Sequence, residues 1–368
     1  MFKPLKSAVQ RGRDALRRAL GRMLFDRPVR SGRGTAGRIV LVRWDAKLGD
    51  AIVSSWFFEA LRQARPGIRV EVITTPAMAW LFREHLGADH VYECSKRAGY
   101  WQLARLARDL GPIECLVHFS KALKMKDLFF LSRVRSQHIA GLDDDLECID
   151  IKLGARCQGM HFVEKFGQLA HALGATRFNT HYRIPYLARH EEAVAAFWPS
   201  SRPVIAINGY GSGGSRRLTP ASMHRLISLV HQQIPEADCC LLFAPDSRDE
   251  VMALCQELNS GRLFCYPAST HIADAIAQIR RAAALISVDT ATVHIAVGLD
   301  KPVFGLYNPD AENLQDWGPR HPLAETLLSK ATHPQDINTL PWDELEQRLP
   351  AWWHQCHTAD RSSAVPHE

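Results

Sequence analysis

The sequence predicts an α/β protein built from two Rossmann-like domains that face one another across a cleft. Short apolar runs alternate with helical patterns over most of the chain. The alternation blurs between residues 140 and 200 and then restarts, so two halves are expected rather than one long sheet. Several apolar runs end in loops rich in glycine or hydroxyl groups, where open α/β sheets hold their ligands.

The elements follow in order. A basic arm occupies residues 1–37, with Gly32, Gly34 and Gly37 marking the break after it. The run 38–43 (RIVLVR) reads as a buried strand, followed by a helix from about Asp50 that carries Ile52, Val53, Trp56, Phe57 and Leu61. A strand at 68–74, helices at 77–86 and 101–110 and an apolar run at 113–119 continue the first domain, placed at 38–195. The second, at 196–345, opens with a strand at 203–208 and a glycine-rich loop. Helices at 220–234, 247–260, 271–284 and 292–299 then alternate with strands at 239–244, 263–266, 285–288 and 303–307. Residues 346–368 form a tail whose Trp352-Trp353 is expected to pack back on the first domain, with 359–368 disordered.

Composition narrows the class. Of 368 residues, 46% are hydrophobic and 23% charged, a globular balance that leaves enough apolar material for two cores. No run approaches the ~18 apolar residues of a membrane span, and the N-terminus lacks a signal-peptide pattern. Nine scattered cysteines without a C-x-x-C pair read as core residues of a reducing compartment, and no structural metal is expected. These features point to the cytoplasm. Ten basic residues against Asp14 and Asp26 give the first 33 positions a net charge of +8, which leaves the remainder near neutral. With Leu5, Val9, Leu16, Leu20, Leu24 and Phe25 at helical spacing, the arm reads either as a helix for an anionic membrane surface or as a solvated leader. It lacks the interleaved aromatics expected of nucleic-acid binding.

Three segments could carry chemistry. Asp50, after Lys47-Leu48-Gly49, sits where a strand turns into a helix; on spacing alone a helix cap is the favoured reading, with a catalytic carboxylate as the alternative. The loop 208–220 (NGYGSGGSRRLTP) places glycines, Ser212, Arg216 and Arg217 ahead of a helix, a set suited to phosphate, against the plain alternative of a surface loop. The segment 287–296 (SVDTATVHIA) gathers Asp289, Thr290, Ala291, Thr292 and His294 at a strand end and the first turns of a helix. A capping Asp and a core His are the plain alternative there. Thr270, ahead of the helix at 271–284, joins the candidate donor-binding set.

In this order the three segments, with Lys301-Pro302, resemble glycosyltransferase family 9, the ADP-heptose:lipopolysaccharide heptosyltransferases. The resemblance runs from about Arg38 to about Arg320, and 129–142 (FFLSRVRSQHIAGL) looks like the family's acceptor-domain stretch. It implies a GT-B fold and an inverting, metal-independent transfer from ADP-heptose to a lipopolysaccharide core acceptor at the inner membrane face, with no cofactor. Asp50 matches the family's catalytic base, Arg217 the place of a phosphate-binding lysine, and Ser212 a hydroxyl that touches phosphate. Asp289 and Thr290 would hold the heptose and diphosphate, and His294 the diphosphate side. Arg217 and Thr219 stand where Lys and Trp are usual, Ala291 where Gly is usual, and Trp56 where Pro is frequent. Other readings remain open: another nucleotide sugar, a protein acceptor, a non-catalytic binder, or an NAD-dependent oxidoreductase with Glu71 as its ribose-binding acid.

Overall fold

The computed structural model describes residues 3–29 and 35–363, with side chains for 12–29 and 35–357. The chain divides into two compact units: residues 1–47 with 54–180, and residues 48–53 with 181–368.

Six parallel strands form the sheet of the first unit: β1 (Arg38–Arg43), β2 (Arg69–Thr74), β3 (His90–Glu93), β4 (Pro112–His118), β5 (Arg135–Gly141) and β6 (Ile151–Lys152). Their spatial order is β3-β2-β1-β4-β5-β6. Ile39, Val40, Leu41, Val70 and Val72 are fully or almost fully buried, because helices cover both faces of such a sheet. The second unit repeats the plan with β7 (Val204–Asn208), β8 (Asp238–Leu241), β9 (Leu263–Cys265), β10 (Ala284–Val288), β11 (Val303–Tyr307) and β12 (Glu325–Leu328), in the order β12-β11-β10-β7-β8-β9. The predicted fold class, two Rossmann-like α/β halves, is therefore the one observed. In the second sheet β7 and β10 are neighbours, with Ser287 opposite Asn208. The chain leaves them in opposite directions along the sheet, and that switch point is where open α/β sheets bind ligands.

Inside the first unit the carboxylate of Glu71 is completely buried and paired with Arg38 at 2.6 Å and 2.9 Å, with the Tyr92 hydroxyl donating to it at 3.2 Å. It is a sheet-internal ion pair, which leaves an NAD reading without its ribose-facing acid. The N-terminal arm is helical over Lys3–Phe25; Leu5 and Val9 lie outside the residues with described side chains.

Three local expectations change. The helix expected from Asp50 through Leu61 is two helices, Leu48–Val53 and Phe57–Ala64, and the break falls where the chain passes from one unit to the other. The helix at 77–86 is a short α-helix, Pro76–Trp80, that widens into a π-turn over Leu81–His85. The tail forms a helix, Trp342–Ser363, and Trp352 and Trp353 lie in the core of the second unit rather than on the first. Trp352 stands edge-on to Phe304 of β11 and donates its indole N–H to the Leu323 carbonyl at 2.8 Å. Disorder was expected over 359–368; helix extends through 363, and 364–368 lie outside the described residues.

Eight of the nine cysteines are buried and Cys255 is half-buried, all as free thiols. Burial holds the Cys115 and Cys239 thiols up at about 12, consistent with core rather than reactive roles. Among the described residues no helix is long and apolar enough to cross a membrane.

Candidate active site

The site of the second unit is assembled from the loops that leave β7 and β10. Asn208, the last residue of β7, donates from its side chain to the Thr292 hydroxyl at 2.9 Å and accepts the backbone N–H of Tyr210 at 3.1 Å. Thr292 Oγ1 lies a further 2.9 Å from the Ser287 hydroxyl. These three buried groups tie both strand ends to the helix Ala291–Gly298, so Thr292 positions the site from beneath. Thr290 and Ala291 are half-buried at that helix's N-terminus, where unpaired N–H groups favour an anion.

The glycine loop folds back on itself as a small hairpin. Gly211 N–H donates to the Arg216 carbonyl at 2.9 Å, and Leu218 N–H to the Gly209 carbonyl at 2.9 Å. Its tip, Ser212 to Ser215, is exposed, and Gly213 turns it with a φ of 90°, a conformation glycine adopts without strain. Hairpin closure sends the two arginines to different partners. Arg216 pairs with Asp289 at 3.1 Å, while Arg217 pairs with Glu250 at 2.7 Å and stacks over the Tyr210 ring at 4.9 Å. Asp289 also accepts a hydrogen bond from Asn313 at 2.8 Å, and Asn308 donates to the Ser215 carbonyl at 2.8 Å. Both guanidinium groups remain about one-third exposed, so each has donors to offer a phosphate.

Asp50 is the third residue of the helix Leu48–Val53, within its first turn rather than at its cap position, and is half-buried. That helix packs on Ala291–Gly298 so closely that a Cβ at Gly49 would stand 2.7 Å from His294 Cδ2. His294 is 5% exposed, with its ring 6.3 Å from that of Trp317. Asp50 and His294 therefore come from adjoining turns of packed helices. Thr270 is placed elsewhere, exposed beyond β9 at the sheet edge, three strands along from β10. Its N–H caps Asp274 at 2.9 Å, beside His190 at 2.6 Å from the same carboxylate. Burial pushes the Asp274 carboxyl up, but hydrogen bonds from His190, Thr270 and His271 outweigh it and hold the group below the ordinary value.

Sequence reasoning missed Glu250, Asn308 and Asn313. The two asparagines follow β11, the strand beside β10, a placement that only the strand order reveals. It also missed a cavity of about 840 Å³ in the first unit, whose lining includes Arg17, Lys96, Arg97, Lys124 and Lys126. Ser95–Ala98 follow β3 and Lys124–Asp127 follow β4, so this cationic hollow opens at the carboxyl ends of that sheet.

A sequence model of glycosyltransferase family 9 (heptosyltransferase) matches residues 119–339, a span that contains both loops of the second unit and starts beyond Asp50. "Putative lipopolysaccharide heptosyltransferase 4" of Escherichia coli (strain K12) is 23% identical over 324 residues, covering 82% of this chain and 84% of that protein. The structure of E. coli ADP-heptose LPS heptosyltransferase II aligns with a TM-score of 0.65 at 16% identity, covering 88% of this chain and 99% of the other. E. coli heptosyltransferase WaaC, solved with ADP, gives 0.61 at 13% identity over 86% and 99% of the two chains. At such identities the structural likeness speaks for the fold, whereas the family match spans more than half of the sequence. The chain is a glycosyltransferase and belongs to family 9, the heptosyltransferase family.

Proposed function

We propose that this enzyme moves a heptose from ADP-heptose to a lipopolysaccharide core acceptor, with inversion at the anomeric carbon and without a metal ion. The observation that carries this reading is the convergence of Arg216, Asp289 and the N-terminus of Ala291–Gly298 on the switch point of the second sheet, with Arg217 beside them on the same loop and held by Glu250. Backbone N–H groups of the glycine loop and the two guanidinium groups would hold the diphosphate, with Ser212 and Thr290 adding hydroxyl contacts. Asp289, fixed by Arg216 and Asn313, would accept hydrogen bonds from heptose hydroxyls. His294 would face the diphosphate side.

Asp50 would take the proton of the acceptor hydroxyl as that oxygen bonds to the anomeric carbon. The bond from that carbon to the ADP oxygen breaks in the same event, and ADP leaves with the electron pair. Its new negative charge would be met by the arginines and the helix N-terminus, a fixed set of donors. The cationic cavity of the first unit suits an acceptor that bears carboxylates or phosphates. Such a lipid-borne acceptor places the work at the inner face of the cytoplasmic membrane.

The test combines binding with turnover. In metal-free buffer, ADP and ADP-heptose are expected to raise the melting temperature, and Arg217→Ala to abolish the rise, since a ligand at a hundredfold its Kd adds roughly 2.7 kcal/mol. Asp50→Ala should keep the rise and transfer nothing. Stabilisation by UDP or GDP alone would overturn the donor, and transfer by Asp50→Ala would remove Asp50 as the base.

A further inference from the structure

An amphipathic helix at a protein surface normally buries its apolar stripe and shows its polar face to water. Over its described side chains the arm helix instead leaves most of its apolar stripe exposed, with Phe25 the docked apolar residue. Its docked positions are Asp14, Arg18, Gly21 and Phe25, spaced four, three and four apart and so on one stripe. Gly21 lies against Met125, where an added Cβ would be 2.9 Å from the Met125 Cα. Arg18 makes two hydrogen bonds to the buried Asp143, at 2.5 Å and 2.7 Å, and another to the Leu123 carbonyl at 3.0 Å. Phe25 meets Phe129 edge-on at 5.4 Å.

About half a turn round the helix, at 100° per residue, lie Leu16, Leu20 and Met23, with Leu24 on the shoulder. Their exposures are 62%, 39%, 63% and 51%. Four of the eight large apolar side chains exposed among the described residues are thus on one face of this helix. Two more, Tyr100 and Trp101, start the helix Tyr100–Leu110, and the Tyr100 ring packs on Phe129, the partner of Phe25. Arg13 and Arg17 are exposed beside this stripe and Arg27 just past its end, whereas Arg22 lies toward the docked side and donates to the Asp145 carbonyl at 3.0 Å. Arg13 and Arg17 make no ion pair with any described residue.

We propose that this outward face is a docking surface for an anionic lipid bilayer, with Leu16, Leu20 and Met23 entering the headgroup–acyl boundary and the arginines resting on lipid phosphates. The proposal takes its biological sense from the lipid-borne acceptor proposed above. Charge complementarity selects the occupant. A helix with an apolar face and basic flanks lies in the interface of an anionic leaflet, where each nearby cation adds attraction. A second copy of the chain would set Arg13 and Arg17 against their own equivalents and lose by repulsion. The ion pair of Arg18 with Asp143 fixes the helix so that its apolar face is presented before any membrane is met.

Co-sedimentation of the full chain with vesicles tests this directly. Vesicles of phosphatidylethanolamine with roughly 30% phosphatidylglycerol should carry the protein down, and pure phosphatidylcholine vesicles should not. The triple variant Leu16→Glu, Leu20→Glu, Met23→Glu changes only exposed positions and should keep the parent's melting temperature and circular dichroism. Its partitioning is expected to fall at least tenfold, while Arg13→Gln with Arg17→Gln should lose the preference for anionic lipid. Absence of vesicle binding by the parent, or equal binding by the triple variant, overturns the proposal. So does a dimer by light scattering that the triple variant dissociates, because a second copy would then cover the stripe. Donor binding, read by ADP-induced stabilisation, is unaffected by any of these results, so failure of the docking surface and failure of the transferase reading are seen separately.

Discussion

Gly49→Ala should slow transfer without touching the carboxylate proposed as the base. The backbone at Gly49 lies outside the left-handed region, so alanine meets no conformational penalty and the effect is one of space. The new methyl would stand 2.7 Å from His294 Cδ2 and 3.4 Å from the Ala291 Cα, where carbon atoms in contact prefer about 3.5–4.0 Å. His294 is buried beside Trp317, and Thr292 ties its helix to both strands, so the helix Leu48–Val53 is the partner that must yield. A retreat of about 1 Å carries Asp50 with it, and a displacement of that size costs on the order of 100-fold in rate. Steady-state kinetics of Gly49→Ala should accordingly show kcat reduced about 10- to 100-fold, with ADP-induced stabilisation essentially unchanged. Overpacking should also cost about 1–3 kcal/mol in denaturant unfolding. A kcat equal to the parent's, or a loss confined to ADP affinity, would refute the reasoning.

Two further outcomes follow from ion pairs away from the site. Arg38→Met strips Glu71 of its bidentate partner inside the sheet; with Arg69 still 3.3 Å away, the loss should be about 3 kcal/mol, measurable by urea denaturation. The Glu114 carboxyl is held below its ordinary value of 4.5 by hydrogen bonds from Arg65, with the backbone N–H of Gly37 adding to them, so the folded state binds that proton less readily than the unfolded chain. Its stabilisation is complete above about pH 4.5 and is lost as pH falls through the lower folded value. Urea midpoints measured from pH 6 down to pH 3 should decline in the parent and decline less steeply in Arg65→Gln.

What could be read along the chain was whatever resides in one contiguous stretch. Strands buried on both faces are continuous apolar runs, and the loops after β7 and β10 announce themselves by glycines and hydroxyls at the ends of such runs. Pairings between distant residues were not legible. Arg216 and Asp289 are far apart in sequence and meet only because β7 and β10 are neighbours; Arg217 reads as Arg216's equal until Glu250 draws it aside. Nothing in the local pattern of Thr292 separates a ligand contact from a strand clip, since both want a hydroxyl in the first helical turn. Thr270 shows the converse: its position ahead of a helix looks like that of Thr290, yet β9 stands at the sheet edge. The periodicity of the arm identifies an apolar stripe but not which of its residues are docked: Phe25 packs on Phe129, whereas Leu16, Leu20 and Leu24 are exposed. The tail was misplaced for a related reason, as two adjacent tryptophans demand burial without naming the core that receives them.

The six residues Leu48–Val53 bear on how such enzymes can recombine. They are separated in sequence from the rest of their unit by more than 120 positions, yet they cover Ala291 and supply the close contact at His294. A gene fragment beginning at His181 would encode the second unit with that face bare, and a chimera joining it to another enzyme's first half would inherit a foreign six-residue patch. Exchange of second units between relatives is thereby constrained at a place far from the apparent seam, and a viable crossover has to match Gly49 with the helix it rests upon.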